Sequence, residues 1–237
     1  MNYETTSSGW NTARALLKGL LLAVLLTSLG ETTRAAIIAN YNFGTNAVGS
    51  FGSADTEPNS TAAPISKGTG LNASSAIVTG VNDGNPRPSF KFDKNDMGNS
   101  LDQNDYIQFV VTASAGYSLN LSGGILTFDL LGTSGKTANW AVRSSLDNFG
   151  TNIASGTITS SSWVNNAANL SGAAFNGLST ITFRIYGWDT DQIDFNIDNI
   201  ILDGAVVPEP VNIALGTCAV FAIGFTCIRR FQKRARR

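Results

Sequence analysis

The stretch Leu126-Thr127-Phe128-Asp129-Leu130 alternates between apolar and polar side chains. Because successive side chains of a β-strand point to opposite faces of its sheet, this pattern places Leu126, Phe128 and Leu130 together on a core face. The same alternation predicts two further sets of core residues: Ala138, Trp140 and Val142, and Ile181, Phe183 and Ile185. The sequence is therefore built around half-buried β-strands.

Similar short runs fill residues 36–206, separated every ten or so residues by Gly, Asn, Asp and Ser. Strands are predicted over residues 37–43, 89–92, 106–111, 125–131, 138–143, 157–160, 180–188 and 193–202. About eight such strands fit an all-β fold, a single jelly-roll-like β-sandwich domain. The stretch 46–85, rich in Gly, Ser, Thr and Ala, is predicted to be a long, loosely packed loop with one strand near Ile77-Val78.

The last predicted strand changes parity. Its apolar residues fall into two sets that point to opposite faces: Ile193, Phe195 and Ile197, then Ile200 and Leu202. One extra residue near Asp198-Asn199 would bring both sets to the core, so a β-bulge is predicted there.

Composition argues against several function classes. Residues 36–206 hold 7 Lys and Arg against 14 Asp and Glu, a net charge of −7, which disfavours a nucleic-acid partner. The chain has no histidine, and its two cysteines, Cys218 and Cys227, lie in a C-terminal apolar run. Ser-His-Asp and Cys-His catalysis are thus excluded from the domain. Its single Glu, Glu57, lies in the predicted loop, so we expect no enzyme and no required cofactor. The remaining catalytic alternative is a glycoside hydrolase, which would need two Asp carboxyls about 5–9 Å apart in a cleft.

Residues 1–35 have the pattern of a signal peptide. Arg14 and Lys18 precede a compact apolar core at 19–26, and Thr33 and Ala35 are small residues at the −3 and −1 positions of a cleavage site. The alternative is an N-terminal membrane anchor, but the apolar core ends near Leu29, short of the roughly 20 residues that span a bilayer. We expect passage through the Sec translocon and removal by signal peptidase.

Residues 207–237 form a three-part tail. Pro208-Glu209-Pro210 comes first, followed by an apolar run at 211–228, which as a helix of about 27 Å would cross a bilayer. The last nine residues, 229–237, include six basic ones: Arg229, Arg230, Lys233, Arg234, Arg236 and Arg237. Under the positive-inside rule this cluster stays in the cytoplasm and the domain at 36–206 lies outside.

This tail resembles the PEP-CTERM sorting segment, whereas a plain stop-transfer anchor would not need the Pro-Glu-Pro motif. The resemblance implies recognition by an exosortase, a membrane protease that cuts near the motif and transfers the exported part to the surface. We therefore expect a precursor anchored in the inner membrane and a product at the cell surface or in the extracellular space.

Four carboxylates crowd one short span: Asp189, Asp191, Asp194 and Asp198. Carboxylate oxygens suit Ca²⁺, so a structural calcium is a candidate, although no EF-hand spacing is present. A solvated acidic turn is the alternative reading.

Aromatic residues offer a second candidate site. Trp163, Tyr186 and Trp188 are predicted platforms for stacking on sugar rings, whereas Trp140, in register with Ala138 and Val142, is predicted to be core. Two functions remain open: a non-catalytic structural or interaction protein of the envelope or extracellular matrix, or a carbohydrate-binding module that attaches the surface to polysaccharide.

Overall fold

The computed structural model describes residues 36–45, 48–55, 57–78 and 88–209. The predicted signal peptide, the apolar run at 211–228, the basic tail and Pro210 lie outside these ranges. Across the described part of the chain, no helix combines the length and apolarity that crossing a membrane requires.

Fifteen strands make up most of the described chain. They are β1 Ala36–Tyr41, β2 Gly44–Thr45, β3 Val48–Gly49, β4 Ser60–Ala62, β5 Ser66–Lys67, β6 Ile77–Val78, β7 Ser89–Phe92, β8 Tyr106–Ala113, β9 Tyr117–Asn120, β10 Ile125–Leu131, β11 Ala138–Ser144, β12 Ala154–Ile158, β13 Val164–Asn169, β14 Thr180–Asp189 and β15 Phe195–Pro208. Two short 3₁₀ turns, Ser145–Asp147 and Ala173–Phe175, complete the described secondary structure.

The strands form two large antiparallel sheets. A seven-stranded sheet has the order β13-β10-β15-β7-β6, with β1 and β9 also paired to the long β15. A six-stranded sheet has the order β12-β11-β14-β8-β4, with β5 also paired to β8. The predicted all-β sandwich is thereby confirmed.

The core lies between the sheets and is rich in aromatic rings. Tyr41 of the seven-stranded sheet lies 5.2 Å from Phe109 of the six-stranded sheet, centroid to centroid. Phe128 meets Trp140 edge to face at 5.0 Å, which confirms the prediction that Trp140 is core. Gly156, directly opposite Trp140 on β12, leaves room for the indole, because a Cβ there would lie only 2.9 Å from the ring.

The predicted bulge in the last strand is present. Thr127 and Asp129 of β10 pair with Ile201 and Asp198 of β15, so β15 carries one extra residue between them. Asn199 has a φ of 50°, in the left-handed region that Asn tolerates better than most residues. The bulge turns Ile200 and Leu202 to the same core as Ile197.

The strand predicted near Ile77-Val78 is confirmed as β6, but the prediction of a loose loop over the rest of 46–85 is wrong in its described part. β4 and β5 pair with β8, and Ile65 and Leu71 are buried in the core. Widely spaced apolar residues among Ser, Thr and Gly anchor this stretch, and their spacing hides the strands from a search for alternation.

Candidate ligand-binding face

The outward surface of the six-stranded sheet carries the most distinctive group of side chains in the described domain. We call it the arginine face; it comprises Tyr106 and Gln108 of β8, Asn139 and Arg143 of β11, Arg184, Tyr186 and Trp188 of β14, and Phe149 of the β11–β12 loop. Within each strand these residues alternate with the core residues, so they share the side away from the other sheet.

The guanidinium of Arg184 lies over two aromatic rings. Its guanidinium carbon lies 4.0 Å from the ring centroid of Tyr106 and 3.7 Å from that of Phe149. Its Nε donates a hydrogen bond of 3.0 Å to Oε1 of Gln108, its direct neighbour on β8. The cation–π contacts and the hydrogen bond fix the plane of the guanidinium.

Arg143 lies directly opposite Arg184 on the neighbouring strand. Its guanidinium carbon lies 5.3 Å from the ring centroid of Tyr186. Its Nε donates to Oδ1 of Asn152 at 2.6 Å, and Nη1 donates to the carbonyl of Phe149 at 3.1 Å. Lys91 forms ion pairs with Asp93 and Asp194, but among the described residues no salt bridge joins either arginine to a carboxylate.

The β11–β12 loop brings Phe149 over the face. Asn148 and Phe149 have φ of 56° and 60°, which folds the chain back so that the Phe149 amide donates to the Ser144 carbonyl at 2.9 Å. Asp147 fixes this turn: its carboxylate accepts from the Gly150 and Thr151 amides, at 3.1 and 2.9 Å, and from the Thr151 hydroxyl. These hydrogen bonds, led by that of the hydroxyl, lower the pKa of Asp147.

The structure separates the three predicted platform residues. Tyr186 and Trp188 share the arginine face, but Trp163 directly precedes β13 in the seven-stranded sheet. Trp188 is half-buried, whereas Tyr186 is 0% exposed, packed edge to face against Tyr106 at 5.5 Å. Tyr186 therefore supports Tyr106 from beneath, and it has no open ring face to offer a ligand.

The four predicted calcium ligands serve different loops. Asp191 accepts from the Thr137 amide at 2.7 Å, and Asp194 accepts from the Lys94 amide at 2.9 Å and lies 3.7 Å from Nζ of Lys91. Both carboxylates thus tie neighbouring loops to the β14–β15 connection.

Asp189 and Asp198 are buried. Asp189 accepts from the Gln192 amide, and its Oδ2 has no hydrogen-bond partner; Asp198 sits in the β15 bulge and accepts from the Asn199 amide at 2.7 Å. Over the described residues, no group of three or more His, Cys, Asp or Glu side chains is placed to hold a metal ion. The calcium site stays a prediction.

A buried carboxyl lies at the end of β8 that is nearest Trp188. Asp105 is 5% exposed and packs so tightly against Gly70 that a Cβ there would overlap its Oδ1. Burial raises the pKa of Asp105 to about 6, and the charges of Asp102 and Asp96 act in the same direction.

The predicted sorting motif begins within the sheet. Pro208 is the last residue of β15 and pairs with Tyr117 of β9, and the Glu209 amide donates to the Gly116 carbonyl at 2.9 Å. The predicted domain boundary after 206 therefore falls inside β15.

The arginine pair was not among the sequence-based candidates. In the sequence, Arg184 stands two residues before Tyr186 and four before Trp188, so its side of β14 could be read from parity. Its position opposite Arg143 depends on the β11–β14 register, which no local pattern contains.

No protein-family model and no curated protein matches the chain. Among solved structures, an adhesin domain of Lys-gingipain from Porphyromonas gingivalis shares 14% identity at a TM-score of 0.37 and covers 72% of this chain and 99% of its own. The xylan-binding domain of Xyn10C from Paenibacillus barcinonensis shares 11% identity at a TM-score of 0.40, covering 75% and 99%. At these scores the likenesses support no conclusion about the ligand of this chain.

Proposed function

We propose that this protein is a non-catalytic carbohydrate-binding module and that the arginine face is its polysaccharide site. The observation that carries the proposal is the grouping of the half-buried Trp188 ring with hydrogen-bonding side chains on one sheet surface. A sugar ring presents an apolar C–H face, which stacks on aromatic rings, and a rim of hydroxyls, which hydrogen-bond to polar side chains.

The polar groups that would meet those hydroxyls lie in the same rows of the sheet. Asn139 is directly opposite Trp188, and Gln108 is directly opposite Arg184. Amides both donate and accept, and guanidinium groups donate only, so together they can pair with hydroxyls in either role. These side chains stand on strands whose backbones are held by the hydrogen bonds of the sheet. Their positions are therefore fixed before a ligand binds, which lowers the entropy cost of binding.

A glycan array probed with the purified full-length chain tests this function. We expect binding that Trp188→Ala abolishes, because the substitution removes an aromatic surface of the arginine face. Trp163→Ala is the matched control: it removes the same ring beside the other sheet and is expected to leave binding intact. An array on which the wild-type chain binds no glycan contradicts the proposal. That result would favour the alternative function, a structural or interaction role.

We further propose that an exosortase delivers this module to the envelope, on the basis of the Pro208-Glu209-Pro210 motif, the apolar run and the basic cluster. Mass spectrometry of the mature protein from its native host tests this route. We expect an N-terminus near Ala36 and a C-terminus near residue 210. A product that retains residues 211–237 would indicate a permanent anchor instead.

A further inference from the structure

We propose that the polysaccharide bound at the arginine face is anionic, and that Arg143 and Arg184 bind the carboxylates of its uronic acid residues. This inference rests on the proposed function and specifies the class of its ligand. It follows from the placement of charge in the domain, from the absence of local carboxylate partners, and from the geometry in which Arg184 is held.

Two of the domain's cationic side chains are neighbours on this face. Residues 36–206 contain only three arginines and carry a net charge of −7, yet two of the three lie side by side on β11 and β14. The same range contains 14 acidic residues, so carboxylates that could pair with arginine are abundant in the domain. No described carboxylate pairs with either one, so the face stays cationic on an acidic domain.

The electrostatic repulsion between Arg143 and Arg184 lowers the stability of the fold. Like charges directly opposite each other on neighbouring strands are destabilising, whereas opposite charges in the same positions are stabilising. A local rule broken without compensation by an opposite charge is typical of a functional site. An anion that binds between Arg143 and Arg184 would remove this repulsion, which gives binding a favourable term that the free protein lacks.

The arginine geometry suits a carboxylate attached to a sugar ring. The planar guanidinium matches the two oxygens of a carboxylate, and Arg184 is held in one plane by Tyr106 and Phe149. Residues two apart on a strand are about 6.6–6.8 Å apart. Arg184 is therefore one such step from the Tyr106–Tyr186 row and two from Trp188. A sugar ring stacked on Trp188 would lie about 13 Å along the strand from Arg184. The carboxylate that reaches Arg184 would therefore belong to another uronate of the same polymer chain, further along the face.

A pair of polymers with the same backbone tests the inference. The full-length chain is titrated with polygalacturonate and with its fully methyl-esterified form, which keeps the sugar ring and loses the charge. We expect at least tenfold tighter binding to polygalacturonate, and we expect this preference to shrink as NaCl is raised, because salt screens charge pairs.

Three variants assign the effect to the face. Arg184→Gln is expected to reduce the preference for polygalacturonate to less than twofold, while Lys94→Gln, which removes an exposed cation from the loop after β7, keeps it. Arg184→Lys keeps the charge but loses the planar fork and is expected to fall between wild type and Arg184→Gln. Equal melting temperatures for Arg184→Gln and wild type show that the loss is not due to unfolding.

The other outcomes separate the two proposals. Equal binding to both polymers, or binding only to neutral glycans, overturns the anionic ligand and leaves the carbohydrate-binding function in place. Binding to no glycan at all contradicts the function itself. Equally tight binding to dextran sulfate or to single-stranded DNA would show a general attraction for polyanions and would overturn the assignment to uronates.

Discussion

The outward faces of the two sheets satisfy their polar groups in opposite ways. On the seven-stranded sheet, Asp129 accepts hydrogen bonds from Nδ2 of Asn165 at 2.9 Å and from Nδ2 of Asn199 at 2.7 Å. This ladder crosses three strands, and each carboxylate oxygen of Asp129 has an amide donor. On the arginine face, two cations lie opposite each other and are surrounded by aromatic rings.

The proposed function assigns the arginine face as the surface that a ligand completes, and the difference between the two faces is consistent with that assignment. The carboxylate of Asp129 is satisfied within the domain, since each of its oxygens accepts a hydrogen bond from an amide. The arginine pair gains cation–π contacts, but it retains its mutual repulsion and has guanidinium N–H donors suited to an oxygen ligand. The outer face of the seven-stranded sheet thus pairs its charged group internally, whereas that of the six-stranded sheet leaves two like charges side by side.

The largest expected effect comes from breaking the packing beneath the arginine face. A Cβ at Gly187 would overlap the Phe195 ring and lie 3.0 Å from Cδ1 of Phe92, both in the other sheet. We expect Gly187→Ala to lower the free energy of unfolding by about 3 kcal/mol, since overpacking forces rings and strands apart. Urea denaturation measures it. Gly98→Ala is the control, because a Cβ there would lie 3.7 Å from the nearest atom, and a similar loss in both variants would contradict this account.

The second largest expected effect is a change in the free energy of unfolding with pH, caused by Asp105. Asp105, with its pKa raised to about 6, stays protonated in the folded state at pH values where the unfolded chain, with a pKa near 3.8, has released the proton. The folded state then holds more protons, so stability falls as the pH rises from about 4 to about 6. We expect Asp105 to contribute about 1–2 kcal/mol to this fall.

Urea titrations of wild type and Asp105→Asn at pH 4 and pH 7 isolate that contribution. The asparagine does not titrate, so we expect a smaller loss of stability between the two pH values in the variant. The Lys91 partner holds the pKa of Asp93 low and works in the opposite direction, but it is common to both proteins. The same pH dependence in both would contradict a raised pKa at Asp105.

Removing the carboxylate of Asp129 tests whether the outward face of the seven-stranded sheet contributes to stability only. Asp129→Ala leaves the Asn165 and Asn199 amides without their acceptor, and we expect a loss of about 1 kcal/mol of unfolding free energy. Glycan affinity, measured by isothermal titration calorimetry, should not change. A large fall in affinity without unfolding would show that the ligand binds the seven-stranded sheet and would contradict the proposed site.

The smallest expected change in stability is the one on the arginine face. Arg143→Gln removes the cross-strand repulsion, but it also removes the hydrogen bonds of Arg143 to Asn152 and to the Phe149 carbonyl and its contact with Tyr186. We expect these opposite effects to offset, so that the free energy of unfolding stays within about 0.5 kcal/mol of wild type. Polygalacturonate affinity should nevertheless fall. Destabilisation by more than about 2 kcal/mol would show that Arg143 is structural, since that exceeds ordinary surface substitutions.

Local alternation predicted much of this fold. Residues 89–92 and 125–131 form strands with the predicted bounds, and the parity change near Asp198-Asn199 located the bulge. β13, with the sequence Val-Asn-Asn-Ala-Ala-Asn, was missed because this edge strand lacks an apolar stripe. The strand predicted at 157–160 lies at 154–158, because its bounds follow the pairing with β11, which begins at Ala154 opposite Val142.

The site was less accessible to sequence reasoning than the fold. Trp188 could be named because its ring type suits sugar stacking, but exposure depends on what packs above a side chain. Tyr186 is buried because Tyr106 and Arg143, both distant in sequence, pack against its ring. The arginine pair likewise arises from register between strands some 40 residues apart in the chain.

The most direct test is to map a bound ligand onto the two faces. Backbone amide chemical shifts of the isotopically labelled protein are followed by NMR as an oligogalacturonide is added. The account predicts perturbations concentrated in β8, β11, β14 and the loop that carries Phe149, with the β13–β10–β15 surface unchanged. Perturbations centred on Asp129 and its neighbours, with a silent arginine face, would contradict it.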